Sequence, residues 1–330
     1  MAKTSISSLI TRIKRKADYN ISDDDLDNLI VDEINDALKI IKQWLMDNAI
    51  YKDVSKSESI KTVEDQEYVD LNIARIVGDT ASFTAVAGDK ITVTIDGTAY
   101  TTAALTGAVL VATVVTAINL ATAAIGDVAS ESDDGYLVIT SPTSGTTSSV
   151  TIADNAGTPA TRLFTVAAER THTAIADVDE IISLTERTND TPIDQIPYDE
   201  LKILYPDPSA NSSNVPDYFA RFVDRLYFGP TPNDNILLYV DYIFQITEVT
   251  SSSTCPFNNK YDPLIKALCV KGLAEFLEPD NANRITAANR NVEFWTKQLI
   301  TGASRNIGMR KGTASRKPEI PYFAPRKVIN

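Results

Sequence analysis

Apolar residues at Ile6, Leu9, Ile10 and Ile13 follow the i, i+3, i+4, i+7 spacing of one helix face, and Arg12, Lys14, Arg15 and Lys16 fill the rest of the surface. The pattern predicts a short amphipathic helix over residues 6–19. Ser22 is a good N-cap, and Asp23, Asp24 and Asp25 follow in the first turn, where the helix dipole favours negative charge. A stripe of Leu26, Leu29, Ile30, Ile34, Leu38, Ile41 and Leu45 then predicts a second helix of about six turns. The two are expected to pack as an antiparallel hairpin. After Tyr51 the helical period stops, and Ile60, Val63, Tyr68, Val69 and Leu71 among acidic residues give a weak strand signal.

Over residues 77–176 Thr, Ala, Val and Gly dominate, charge thins, and the aromatic residues fall to Phe83, Tyr100, Tyr136 and Phe164. Such a shift marks a separate module. Lys90-Ile91-Thr92-Val93-Thr94-Ile95 alternates at period two and meets the turn signal Asp96-Gly97, which predicts a hairpin with Thr98-Ala99-Tyr100-Thr101. Val111, Val114, Val115, Ile118 and Leu120 predict a helix over 108–124, against the low helix propensity of its β-branched residues. A second hairpin is expected across Ser132-Asp133-Asp134-Gly135, between 128–131 and 136–140, with one more strand over 149–153.

Beyond residue 181 prolines and aromatics return. Arg225-Leu226-Tyr227-Phe228-Gly229-Pro230-Thr231-Pro232 predicts a strand ending in a proline turn, and 236–243 alternates as its partner in an antiparallel meander. Asp262-Pro263 starts a helix carrying Leu264, Ile265, Leu268, Leu273, Phe276 and Leu277, and Pro279 stops it. Ile285, Ala288, Val292, Trp295 and Leu299, spaced by three and four, form the seam of a following helix.

Composition changes this picture mainly through charge. The 330 residues are 43% hydrophobic and 23% charged, in the globular range, and no apolar run reaches the ~18 residues needed to cross a bilayer. Thr11, Arg12 and Lys14 interrupt any secretory core at the N-terminus, so the protein is expected to stay where it is made. The net charge of −13 opposes broad attraction to nucleic acid or anionic membrane. Residues 305–330 run the other way. They hold seven basic residues against Glu319, a net +6, which leaves −19 on the rest. Prolines 318, 321 and 325 alternate there with Ile320, Tyr322 and Phe323, as in an extended segment that docks on another surface.

Catalytic and metal chemistry find little support. Cys255 and Cys269 stand fourteen apart without a zinc spacing and are expected as buried free thiols; His172 is the one histidine. Asp23-Asp24-Asp25 reads as a helix start rather than a calcium loop, and Asp133-Asp134 as a turn rather than an acid pair across a substrate. No phosphate-cradling glycine loop and no nucleophile elbow occurs. The expectation is a non-enzyme without cofactor or metal. The basic face of the first helix is read as a solvated surface paired with the acidic second helix.

Taken together, Ile6-Ser7-Ser8-Leu9-Ile10-Thr11-Arg12-Ile13-Lys14-Arg15-Lys16 with the long helix after it, residues 192–204, Leu226-Tyr227-Phe228-Gly229-Pro230-Thr231-Pro232, Leu238-Tyr239-Val240-Asp241-Tyr242 and the closing helices resemble the head-to-tail adaptor (connector) proteins of tailed bacteriophages. The middle module departs from compact members; Thr92-Val93-Thr94-Ile95-Asp96-Gly97, Ala117-Ile118-Asn119 and Tyr136-Leu137-Val138-Ile139-Thr140-Ser141 are similar to β-rich repeats of flagellar hook-associated and phage structural proteins. The resemblance implies an α+β fold. Its adaptor core (1–76 and 177–302) would be a helical hairpin or bundle with an antiparallel β meander, carrying an inserted small β-rich α+β domain (77–176) and an extended basic tail (303–330). It implies a structural virion protein at the neck, assembled in the host cytoplasm as a twelve-fold ring. Its partners would be the portal, a tail or nozzle protein, and DNA that passes without sequence-specific binding; no membrane is involved. Arg310, Lys311, Arg316 and Lys317 would meet acidic portal surface, while Ile320, Tyr322 and Phe323 fill apolar clefts. A carbohydrate- or receptor-binding tail component, with the module's four aromatics as sugar platforms, is the rival expectation. A wall or polysaccharide hydrolase is a third, and it has no nominated carboxylate pair.

Overall fold

The computed structural model describes residues 3–17, 24–48, 50–207, 212–213 and 215–308. By backbone proximity the chain divides into two units, residues 1–53 with 248–330, and residues 54–247.

The first unit is helical among its described residues. Helix α1 (Ile6–Ala17) buries Ile6, Leu9, Ile10 and Ile13. Helix α2 (Asp24–Asp47) buries Leu26, Ile30, Ile34, Leu38, Ile41 and Leu45, while Leu29 stays half-buried. Helix α6 (Asp262–Leu277) lies against both and against α7 (Ala282–Gly308). Its inner face differs from the expected stripe. Ala267, Cys269 and Ala274 are buried beside Leu264, Ile265 and Leu273, whereas Phe276 and Leu277 in the last turn are exposed. The reason is close approach of α2. A Cβ at Gly272 would stand 1.8 Å from a Glu33 carboxylate oxygen, so small residues, not large ones, face α2 there.

The second unit is built from β-structure. Strands β1 (Ser55–Lys61), β2 (Tyr68–Asp70), β11 (Val178–Glu186), β12 (Thr191–Gln195), β14 (Tyr218–Phe222), β15 (Arg225–Gly229) and β17 (Leu237–Phe244) form one mixed sheet in the order β1-β17-β11-β12-β14-β15-β2. All neighbours are antiparallel except β12 and β14. The edge strands β1 and β2 are joined by residues 62–67 alone. Six residues span at most about 20–25 Å, and that link contains a turn, whereas six flat strand intervals need about 29 Å. The sheet therefore curls. Its concave side buries Ile60, Leu184, Phe219, Phe228, Leu238 and Val240.

A second core lies in the same unit, between a sheet of order β10-β9-β4-β5, a three-stranded sheet of order β3-β8-β7, and helix α3 (Val111–Ala121). Here β3 is Arg75–Val77, β4 Ser82–Ile95, β5 Thr98–Thr101, β7 Ala129–Glu131, β8 Leu137–Thr140, β9 Ser149–Ala156 and β10 Thr171–Thr173. The Asp96-Gly97 turn forms as its sequence dictates, with φ of 51° and 82° joining β4 to β5. Helix α3 buries Val111, Val114 and Ile118, but Leu120 is exposed because two residues past Ile118 lies across the helix axis. Strand β6 (Leu105–Leu110), paired with β4, has no signal as clear as the hairpin's.

These facts overturn the expected fold class. The described chain is β-rich and not a helical hairpin or bundle bearing a meander. The meander fails in detail as well: β15 pairs with β14 and β2, β17 pairs with β1 and β11, and the two are separated in the sheet by three strands. The misreading has a physical source. Strand β1, Ser-Lys-Ser-Glu-Ser-Ile-Lys, buries only Ile60, and β12 buries only Ile193, so neither shows the alternation that announces a strand.

Candidate interaction surfaces

Charge is divided unevenly between the units. Residues 54–247 hold ten basic and 27 acidic residues, a net −17, and the remainder of the chain is therefore +4. The residues expected to grip a portal, Arg310, Lys311, Arg316, Lys317, Ile320, Tyr322 and Phe323, lie outside the described residues. On α1, Arg12 bonds Asp262 at 3.3 Å and Lys14 pairs with Asp27, so half of the basic face is neutralised within the helical unit. Burial, with Lys266 nearby, lowers the pKa of Lys16.

The remaining candidates for chemistry resolve as structural groups. Cys255 and Cys269 are buried free thiols, and burial pushes Cys255 up to about 11. The His172 Nδ1 accepts the Arg75 backbone N–H at 3.0 Å, which places the proton on Nε2, an atom buried without a partner. Burial, and then the Arg75 charge, hold this imidazole down to about 4, so it is neutral at pH 7. Asp133 and Asp134 sit in the β7–β8 turn, but Asp134 has an additional role that the sequence did not reveal. Its carboxyl meets that of Glu64. Desolvation first, then the hydrogen bond and charge of Asp134 and the charge of Asp65, push Glu64 up to about 7. Among the described residues no cluster of His, Cys, Asp and Glu is arranged to hold a metal ion, and no helix is long and apolar enough to cross a membrane. The four aromatics of residues 77–176 make no platform: Phe164 is fully buried, and Phe83 and Tyr100 pack against the same core.

Two features of the β-rich unit do present themselves outward. The first is a cleft of about 530 Å³ where β1 ends and β17 begins, walled by the β11–β12 turn, by Val215 and by Val166 with Glu169. Lys61 donates there to Glu169 at 2.8 Å and to the Val77 carbonyl at 3.2 Å. Burial alone would raise Glu186, but the N–H groups of Thr188 and Asn189 prevail and lower it. The Arg187 guanidinium lies 5.2 Å from the Tyr239 ring centre.

The second is the tip of the β14–β15 hairpin. Phe222 and Val223 are 51% and 69% exposed, and the nearby α5 (Tyr198–Leu204) adds Ile203 at 79%. Val223 has φ of 55°, a left-handed conformation that a β-branched residue adopts only under strain. Phe222 stacks at 4.6 Å on Tyr198, which sits edge-on to Tyr227. Arg225 covers the Tyr68 ring at 4.3 Å while bonded to Asp70 at 2.7 Å, and Lys202 covers Tyr198 and Tyr227. The hairpin strand β14 and its tip were not read from the sequence. The available signal was two large apolar residues, Phe222-Val223, immediately before Asp224-Arg225, where a turn would favour Gly, Asn or Asp.

Exposed apolar tips, an open cleft and no catalytic cluster among the described residues define a protein of assembly. Comparison with protein families agrees and places the chain with the tailed-phage adaptors, structural proteins of the virion. The matching model is described as SU10 adaptor protein and covers residues 104–316, nearly two thirds of the chain, which belongs to that family. The match starts inside the Thr-rich stretch and leaves out α1 and α2, two of the elements on which the resemblance was drawn. Comparison with curated proteins gave no match. Family membership makes this a component of the head–tail junction that contacts other head and tail proteins.

Proposed function

We propose that the chain forms the adaptor ring between portal and tail: it docks on the portal, offers the tail its attachment surface and lines the channel through which DNA leaves. The ring is twelve-fold, and residues 77–176 are displayed on its outside. The observation that carries this reading is the partition of charge. Residues 309–330 hold six basic residues against Glu319, a net +5, whereas the β-rich unit carries −17. A cationic segment with Ile320, Tyr322 and Phe323 between prolines suits an acidic, cleft-bearing partner, and twelve such segments make weak individual contacts sufficient. Arg310, Lys311, Arg316 and Lys317 supply the charge, and Ile320, Tyr322 and Phe323 the apolar anchors. A strongly acidic body binds phosphate poorly, so DNA slides past it.

The test is mass measurement on the purified chain with and without portal, repeated after deletion of residues 309–330. A ring on the portal is expected for the whole chain, and loss of docking with unchanged circular dichroism for the truncated one. Docking that survives the deletion removes the anchor.

A further inference from the structure

The hairpin tip and the cleft lie at opposite ends of the same sheet. Strands β12 and β14 run parallel with Asp194 beside Tyr218, so the path from Thr191, at the cleft end, to Phe222, at the tip, is about seven residues or ~23 Å along the strand direction. Lys61, Leu237 and Glu186 are paired across β1, β17 and β11 at the cleft end. One end of the unit therefore presents a projecting apolar knob, and the other a recess.

The two are complementary in chemistry. The recess has Val166, Val215, Ile236 and Leu237 in its wall, with Asp234 and Glu169 alongside. The knob offers Phe222 and Val223, flanked by Arg221 and Arg225 on a unit that is otherwise heavily acidic. A recess of about 530 Å³ has room for both side chains. We propose that the β14–β15 tip of one copy seats in the cleft of the next copy. The occupant is a second copy of this chain, because the tip and the recess carry opposite local charge and face in opposite directions. Each copy then gives one surface and receives on a different one. That contact is heterologous, and it closes into a ring when the rotation allows. Strain at Val223 is maintained because the tip works in the interface. The inference rests on the self-assembly included in the proposed function and names the surface responsible for it.

The experiment uses full-length chains carrying single substitutions, Val223→Cys in one preparation and Val166→Cys in another. The native thiols are buried. Mixed under mild oxidation, the two preparations are expected to yield a disulfide-linked heterodimer on denaturing gels, and neither alone is expected to yield a comparable dimer. Val223→Gly gives an independent readout. Removing the side chain relieves the left-handed strain, so the melting temperature of the monomer rises, while self-association weakens by about tenfold or more. A tip with only a structural role would not move these two quantities in opposite directions. If wild-type chains assemble, alone or on the portal, yet show neither the cross-link nor the loss with Val223→Gly, the surface is wrong and the ring reading stands. If wild-type chains remain monomeric under both conditions, both readings fall.

Discussion

Acidification should destabilise the β-rich unit through a single side chain, His172. Above pH 7 the imidazole is neutral in both the folded and unfolded chain and has no effect on the balance. Below 6.5 the unfolded chain takes up a proton that the folded state refuses until about pH 4, because charging Nδ1 would break the bond from the Arg75 N–H and place a cation in a buried site beside Arg75. Stability is therefore present above 6.5 and is lost as pH falls towards 4. The full loss is about 3 kcal/mol, and about 2 kcal/mol of it has gone by pH 5. Glu64 works in the opposite direction, since a carboxyl raised to about 7 in the folded state favours folding as protons are added. The measurement must therefore compare the wild type with His172→Asn, which keeps an acceptor for the Arg75 N–H but does not titrate. Urea unfolding is best followed by amide exchange in β9 and β10, because Trp44 and Trp295 both belong to the helical unit and their fluorescence reports on it. The wild type should lose about 2 kcal/mol relative to the variant between pH 7 and pH 5. A difference that stays flat across that range would refute the assignment of a neutral, buried His172.

Two glycines should respond in opposite ways to alanine. At Gly157 φ is +67°, and a Cβ would stand 1.7 Å from an Asp89 oxygen that cannot retreat, because the carboxylate is held by Arg162 and by the Val86 N–H. Gly157→Ala should cost about 3 kcal/mol or more, as breaking a buried ion pair does, and lower the melting temperature of the β-rich unit. At Gly272 the obstacle is the far end of the Glu33 side chain, which can swing aside, and alanine gains roughly 1 kcal/mol of helix propensity, so Gly272→Ala should be neutral or stabilising in the same melt. Glu64→Gln should remove one pH dependence: as pH rises from 4.5 through 7, the wild type is expected to lose stability relative to the variant in paired urea titrations, and a constant difference would count against the shared proton with Asp134.

Where the chain folds by local rules, its sequence was legible. The buried stripes of α1 and α2 follow a 3.6-residue period, and Asp96-Gly97 needs only its own backbone freedom to make a hairpin. Where partners lie far apart in the chain, the signal disappears. Strand β1 is paired with β17, about 180 residues away, and its Ser-Lys-Ser-Glu-Ser run is tolerable only because an edge strand with one buried side chain needs no alternation. The same reasoning explains why a curled sheet was mistaken for a short meander. Residues 225–243 contain two strands that look like hairpin partners, and only the register with β2, β11 and β14 shows that they belong to opposite halves of the sheet. The Phe222-Val223 tip was hidden for a further reason: it violates turn preference, and departures of that kind cannot be recognised until the backbone is seen.

The partition of charge constrains how such a protein meets both DNA and its own kind. Seventeen net negative charges on 194 residues repel duplex DNA, and they repel a second copy of the same unit as well. Self-assembly through this unit therefore needs a contact that is locally short of acid or directly apolar, and among the described surfaces the β14–β15 tip meets that requirement. Salt would screen the general repulsion, which at 0.15 M falls off over about 8 Å, while leaving apolar burial intact. Association through the tip should thus strengthen as ionic strength rises. Docking by the cationic segment should weaken over the same range, because it relies on the attraction that salt removes. Opposite salt responses separate the two kinds of contact without any substitution at all.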